Sequence, residues 1–595
     1  VTDKVTDGLS ADLSGAERYA AIDAKRKALI AACEKEDGYR CQVSAFFGGL
    51  QYKLIKSLEI RDVRLVYAPG DNVGKYGGDI DNWMWPRHTG DFSFYRAYVS
   101  PEGKPADYSE NNVLYKPAHV LKVSAAGLDD GDFVMAAGYP GRTSRYARLA
   151  TVSYTFDWYY PTWMKNSQDW VDTIERTAPA GSDARIKYES TLASLNNYIK
   201  NRGGQIEGAL RVGLVDARKA REDALNAWIA ADESRKPYAE AIARLDALTA
   251  ETAAADKREY WYDYATRPAL LGAAHNLYRL SIEKEKPDAE RESGYQERDL
   301  TRIKQGLSRI DRCYDAKVDK AVWMMFLQKY MEAPMEMRVK ALDKALELGA
   351  DFDADVMSAK LDTFYANTTL SDSEKRLALM DATKEELEAS EDPFIKLAVA
   401  LYETEMELEA AAKARSGRRA MLQPAYMEAI IAWQKDNGEA TYPDANSTLR
   451  VTYGNVMGGS PKDGLIYTPF TTLEGITEKD TGLEPFDAPK KQLDLINARD
   501  YGPYKLDSIN SVPVNFLSDL DSTGGNSGSA TLNAKGELVG LLFDGTIESV
   551  NSDWLFDPKT TRTIHVDTRY MLWVMDKVDN AKHLIREMEI VGLED

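Results

Sequence analysis

The residues best suited to covalent chemistry are Asp521-Ser522-Thr523-Gly524-Gly525-Asn526-Ser527-Gly528-Ser529, followed by an apolar stretch and then Gly-Glu-Leu-Val-Gly-Leu-Leu-Phe. A serine on a tight glycine-rich turn between strands can expose its hydroxyl. The N–H groups of Gly525 and Ser527 then converge on one point, which is an oxyanion hole. A plain hairpin turn uses the same residue types. The hairpin pattern downstream favours the catalytic reading.

A serine hydroxyl is a poor nucleophile near neutral pH and needs a histidine base that a carboxylate orients. In the chain order His, Asp, Ser the carboxylate precedes the serine. Asp91, in Pro86-Arg87-His88-Thr89-Gly90-Asp91-Phe92-Ser93-Phe94, stands at the entrance to an alternating stretch and is the best candidate. Asp79 and Asp81 compete with it and read better as turn residues. The five histidines are His88, His119, His275, His565 and His583, so none precedes Asp91 by several strands. His88 is close enough along an extended segment to reach Asp91, but not to bridge to Ser527. His275 and His583 sit in helical patterns as structural or surface residues. His119 and His565 sit in strand patterns as packing residues. The histidine base is therefore expected to lie outside this sequence, on an N-terminal segment that also carries the first strands and any secretion signal.

These groups need elements to hold them, and 595 residues exceed what one core can organise. Short alternating or apolar runs cover 43–47, 52–55, 63–67, 92–99, 120–123 and 133–137, preceded by a helix over 16–34. Long helical periodicity fills 145–437, with continuous helices expected over 206–232 and 336–348 and a capping box at Thr383-Lys384-Glu385-Glu386. Strand patterns return at 449–452, 512–516, 529–532, 538–543 and 562–566, and a closing helix is expected from Arg569. The fold class is α+β. Residues 1–144 read as an incomplete first β-barrel half, 145–441 as an inserted helical cap, and 442–595 as a second barrel with a C-terminal helix.

A net charge of −20 disfavours a phosphate-binding surface, so no nucleic-acid partner is expected. No run of 18 apolar residues offers a membrane span. Histidines and cysteines are too few and scattered for a ligand set, so neither metal nor cofactor is expected. Cys33 and Cys41 are spaced to close a short loop, whether bonded or free, and a bond would indicate an oxidising compartment. Cys313 lies in a helical stretch and is read as a buried small hydrophobe.

Four blocks carry a family resemblance: Asp81-Asn82-Trp83-Met84-Trp85-Pro86-Arg87-His88-Thr89-Gly90-Asp91-Phe92, the segments 279–287 and 292–300, and Gly524-Gly525-Asn526-Ser527-Gly528-Ser529. From about Cys33 onward the chain resembles the bacterial serine dipeptidyl aminopeptidases that include dipeptidyl-peptidases 7 and 11, and is nearest to type 7. The resemblance implies a chymotrypsin-like double β-barrel closed over by a helical domain. It also implies a homodimer in the periplasm, secreted or at the cell surface. Ser527 would be the nucleophile and Asp91 the triad carboxylate. Asn82, with Trp83 alongside, Asn197 and Asp544 would fix the free α-ammonium of a peptide substrate. Releasing dipeptides requires that charge to be held two residues from the scissile carbonyl. Gly545 stands where relatives that cleave after Asp or Glu carry an arginine, so apolar, aromatic or broadly varied residues are expected at the second substrate position. Two other readings remain. One is a non-catalytic homologue that binds peptide N-termini, and the other is a trypsin-like endopeptidase.

Overall fold

The computed structural model describes residues 1–593. Its β structure centres on one antiparallel sheet in which Phe470–Thr472, Pro513–Ser518, Thr563–Asp567, Leu538–Gly545, Ser529–Asn533, Phe133–Gly138 and Arg450–Asn455 lie side by side. The central strands Pro513–Ser518 and Thr563–Asp567 are buried on both faces, as their apolar runs require. Val512, Val514, Leu517, Ile564 and Val566 join Tyr570, Trp573 and Val574 in the main core. Separate from this sheet are the hairpin of Tyr39–Phe46 with Gln51–Leu58 and the sheet of Asp62–Tyr67, Phe94–Val99 and Val113–Leu114. The molecule is α+β, with helices dominating between Leu149 and Asp436. Among the described residues no helix is long and apolar enough to cross a membrane.

The helical part is organised by the 44-residue helix Pro393–Asp436. It crosses the early helix Gly15–Cys33 at two glycines. A Cβ on Gly15 would lie 2.1 Å from the Ala414 carbonyl oxygen, and one on Gly417 would lie 1.8 Å from that of Gly15. Only hydrogen at both positions lets the two backbones touch. Capping boxes begin two helices, Ser14 with Glu17 and Thr383 with Glu386.

Several expected elements differ. The helix expected over 206–232 breaks at Gly213, whose left-handed φ of 61° closes Asp183–Val212 and starts Leu214–Ala230. The one expected over 336–348 shrinks to Lys340–Leu346, between a 3₁₀ turn after Pro334 and a left-handed Glu347. The strand expected over 120–123 is reduced to Val123–Ser124, and His119 is exposed in a segment without regular structure rather than packed in a strand. The terminal helix is interrupted: Thr568–Trp573 runs into a π-turn, Lys582–Ile585 follows, and Ile590–Val591 pairs in parallel with Val123–Ser124. Cys313 ends its helix half-buried rather than buried. Cys33 and Cys41 form a disulfide between the end of the helix Gly15–Cys33 and the strand Tyr39–Phe46.

Candidate active site

The sheet order places Ser529–Asn533 between Leu538–Gly545 and Phe133–Gly138, so the turn of residues 521–528 emerges with a strand end on either side. Local hydrogen bonds shape that turn. The Asn526 N–H donates to the Thr523 carbonyl at 3.0 Å, the Ser529 N–H to the Asn526 carbonyl at 2.8 Å, and the Gly528 N–H to the Leu542 carbonyl at 2.7 Å. Gly525 has φ of 102°, and a Cβ there would lie 2.6 Å from the Tyr139 carbonyl oxygen and 2.7 Å from the Gly141 nitrogen. Backbone conformation and space both demand glycine. Arg145 grips the base of the turn by donating to both carboxylate oxygens of Asp521. Ser527 is exposed at the tip, its hydroxyl 3.4 Å from the Phe543 carbonyl. Among the described residues, neither the Gly525 nor the Ser527 N–H has an acceptor. Two exposed donors with free valence beside a hydroxyl suit an oxyanion.

This turn opens into a cavity of about 1130 Å³ that Asn82, Trp83, Asp91, Asn197, Gly525, Ser527, Asp544 and Gly545 all line. The segment bearing Asp91 is lashed to the central sheet through Asn515, whose buried side chain accepts from the Thr89 N–H and donates to the Thr89 carbonyl, both at 3.0 Å. Asp91 faces the cavity, yet its walls strip enough water away to raise its carboxyl above the usual aspartate value. Arg87 opposes that rise and Asp544 adds to it.

Asn82, Trp83, Asn197 and Asp544 form one connected group. The Asn197 side-chain oxygen accepts from Asn82 Nδ2 and Trp83 Nε1, both at 2.9 Å. Asp544 Oδ2 accepts from the Trp83 N–H at 3.1 Å and from Arg87 Nη1 at 2.6 Å. The helix Asp183–Val212 brings Asn197 in, and its Lys200 donates to the carbonyls of Asp79 and Ile80 at 3.0 and 3.1 Å.

Arg87 is the participant that sequence reasoning missed. Its guanidinium is buried, also donates to Thr89 and to the Asp81 carbonyl, and sets the position of Asp544. Its only signal was its place within the block 81–92, because its carboxylate partner lies 457 residues away.

None of the five histidines lines the cavity. His88 is buried against the Gly475 backbone, and burial lowers its pKa to about 3. His565 is fully enclosed, with Ser518 Oγ at 2.7 Å from Nε2, Thr531 Oγ1 at 2.8 Å from Nδ1, and the Phe516 ring stacked at 4.5 Å. Burial pushes it also to about 3, so it stays neutral at physiological pH. His275 approaches Glu405 at 3.2 Å within the helical part, and His583 is exposed on the helix Lys582–Ile585.

Comparison with known proteins matches residues 1–590 to the family described as peptidase S46. The Asp/Glu-specific dipeptidyl-peptidase of Shewanella putrefaciens is 47% identical over 595 residues, covering 96% of this chain and 80% of that one. Dipeptidyl-peptidase 7 of Capnocytophaga gingivalis is 31% identical over 614 residues, covering 99% and 81%. Among solved structures, Porphyromonas endodontalis DPP11 in complex with the dipeptide Arg-Glu superposes with a TM-score of 0.81 at 28% identity, covering 99% of this chain and 84% of that one.

Proposed function

Since the chain belongs to the peptidase S46 family, we propose that it is a serine-type dipeptidyl aminopeptidase that releases dipeptides from the free N-terminus of peptides. The observation that carries this reading is one cavity holding both the Ser527 turn, with its two unoccupied N–H donors, and the Asn82–Trp83–Asn197–Asp544 group. Ser527 attacks the scissile carbonyl, the N–H groups of Gly525 and Ser527 receive the developing oxyanion, and Asp91 orients the imidazole. None of the five histidines lines the cavity, so none of them is assigned as the base.

The amine-binding group fixes the register. A peptide ammonium placed against Asp544 and the side-chain oxygen of Asn82 positions the second carbonyl, and no other, at Ser527. A trypsin-like endopeptidase would have no use for such a group. The division into a first barrel half in 1–144, a helical cap in 145–441 and a chymotrypsin-like second barrel in 442–595 comes from the resemblance; Phe133–Gly138 and Val123–Ser124, from the first of these, pair into the sheet of the third. The Cys33–Cys41 bridge supports a periplasmic, secreted or surface location. The resemblance adds a homodimer.

For the second substrate residue, the wall beyond Asp544 is formed by Gly545, Ser549 and Val550, none of them cationic. That favours apolar, aromatic or broadly varied residues. The Asp/Glu specificity named for the Shewanella relative favours acidic ones. A fluorogenic panel varying only the second residue tests this: the full-length enzyme is expected to cleave apolar or aromatic members at least about tenfold faster than acidic ones. Fastest cleavage after Asp or Glu would overturn the assignment while leaving the dipeptidyl reading intact.

A further inference from the structure

Four arginines line the active cavity: Arg87, Arg142, Arg148 and Arg419. Two are neutralised, Arg87 by Asp544 at 2.6 Å and Arg148 by Asp246 at 2.8 Å and Glu222 at 3.1 Å. Arg142 and Arg419 have no carboxylate at ion-pair distance among the described residues. Asp444, which lines the same region, accepts through Oδ1 from Thr143 Oγ1 at 2.6 Å and from the Arg145 N–H at 2.9 Å and makes no ion pair with either arginine. Burial is the largest influence on Arg419 and lowers its pKa from the ordinary arginine value. A non-contacting Asp256 favours its protonated form, and Arg142 opposes it. Arg419 is partly buried and Arg142 is exposed, so two like charges face one open cavity, and a carboxylate between them would pair with both.

Their position says which part of a ligand would bring that carboxylate. The serine strand Ser529–Asn533 has Leu538–Gly545 on one side, ending at the amine-binding Asp544, and Phe133–Gly138 on the other. The second neighbour leads straight into Gly141, whose N–H donates to the Gly524 carbonyl at 2.7 Å, and then into Arg142. Arg419 reaches the same region from the long helix Pro393–Asp436. The catalytic turn thus separates Asp544 from the two unpaired arginines. A peptide with its ammonium at Asp544 and its scissile carbonyl at Ser527 directs its departing portion toward Arg142, and two extended residues span about 7 Å.

We propose that Arg142 and Arg419 form a carboxylate-binding subsite for the leaving portion of the peptide, taking the C-terminal carboxylate of a tetrapeptide or an acidic side chain at that distance. This rests on the dipeptidyl reading for the direction of the bound peptide. Guanidinium is the fitting group there, because its planar fork pairs with both carboxylate oxygens at once.

The test uses the full-length protein carrying Ser527→Ala, so that peptides bind without being consumed. Calorimetry compares a tetrapeptide as free acid and as C-terminal amide, two amidated tetrapeptides ending in Glu or Gln, and two that differ by Glu or Gln at the second residue. The carboxylate-bearing member of at least one of the first two pairs is expected to bind about tenfold more tightly. The first pair reports the terminal carboxylate and the second the acidic side chain. Arg142→Gln and Arg419→Gln are each expected to shrink that preference to within about twofold. Arg142 is exposed, so its variant is read without concern for folding. Equal affinity within both of the first two pairs overturns the proposal, as does a preference that survives both substitutions. So does a loss confined to the pair differing at the second residue, which would move the arginines to the other side of the scissile bond. Dipeptide release by the enzyme with Ser527 intact is scored separately, so failure of the peptidase reading is distinguishable from failure of the subsite.

Discussion

Replacing Ser527 by alanine is expected to lower kcat/KM for dipeptide release by about 10⁴-fold or more, because without the hydroxyl no acyl-enzyme forms and only binding and the oxyanion donors remain. The substitution isolates chemistry from folding. Ser527 is exposed, and its hydroxyl has one long hydrogen bond, 3.4 Å to the Phe543 carbonyl. Its loss is expected to change stability by no more than about 0.5 kcal/mol. Steady-state kinetics and thermal unfolding on the same full-length preparation check both halves. Retained activity in a folded variant would remove Ser527 from the mechanism.

Asp544→Asn is expected to reduce kcat/KM by roughly 10²–10³-fold, because the substrate ammonium loses the counter-charge that holds it in register. A second consequence follows from Arg87. Its side chain is 9% exposed and that of Asp544 6%, so neutralising Asp544 leaves a buried guanidinium unpaired. Breaking such a pair costs about 3 kcal/mol or more. Asp544→Asn combined with Arg87→Gln removes the orphaned charge, and stability is expected to recover at least in part while activity stays low. Recovery of both together would mean that Asp544 serves the fold and not the substrate.

What could be read directly from the chain was local. Glycine, asparagine and serine at 524–529 announce a turn wherever they occur, and Thr383 with Glu386 caps a helix through bonds spanning three residues. Interactions between distant segments were not legible from residue patterns, and only the family resemblance brought Asn82, Asn197 and Asp544 together. Arg87 and Asp544 meet across 457 positions, and nothing in either neighbourhood names the other. Gly213 shows the same limit at short range: the periodicity of 206–232 is helical throughout, and only the backbone conformation at one glycine turns one helix into two. His565 looked like a packing residue and is one, but its two hydroxyl partners, Ser518 and Thr531, come from different strands that pattern alone could not pair with it. Cysteine spacing left Cys33 and Cys41 open, and the helix-to-strand geometry brings them into a bond.

Held at Asn82 and Asp544, the free amine of the substrate is proposed to dictate which bond Ser527 breaks. Mass spectrometry of the products from a tetrapeptide and its N-acetylated twin, each incubated with the full-length enzyme, tests this most directly. The free peptide is expected to yield two dipeptides, and the acetylated one to be cleaved at least about 10²-fold more slowly, since its neutral amide offers no charge for Asp544 to hold. Equal cleavage of both peptides, or cleavage at an internal bond regardless of the N-terminus, would contradict it.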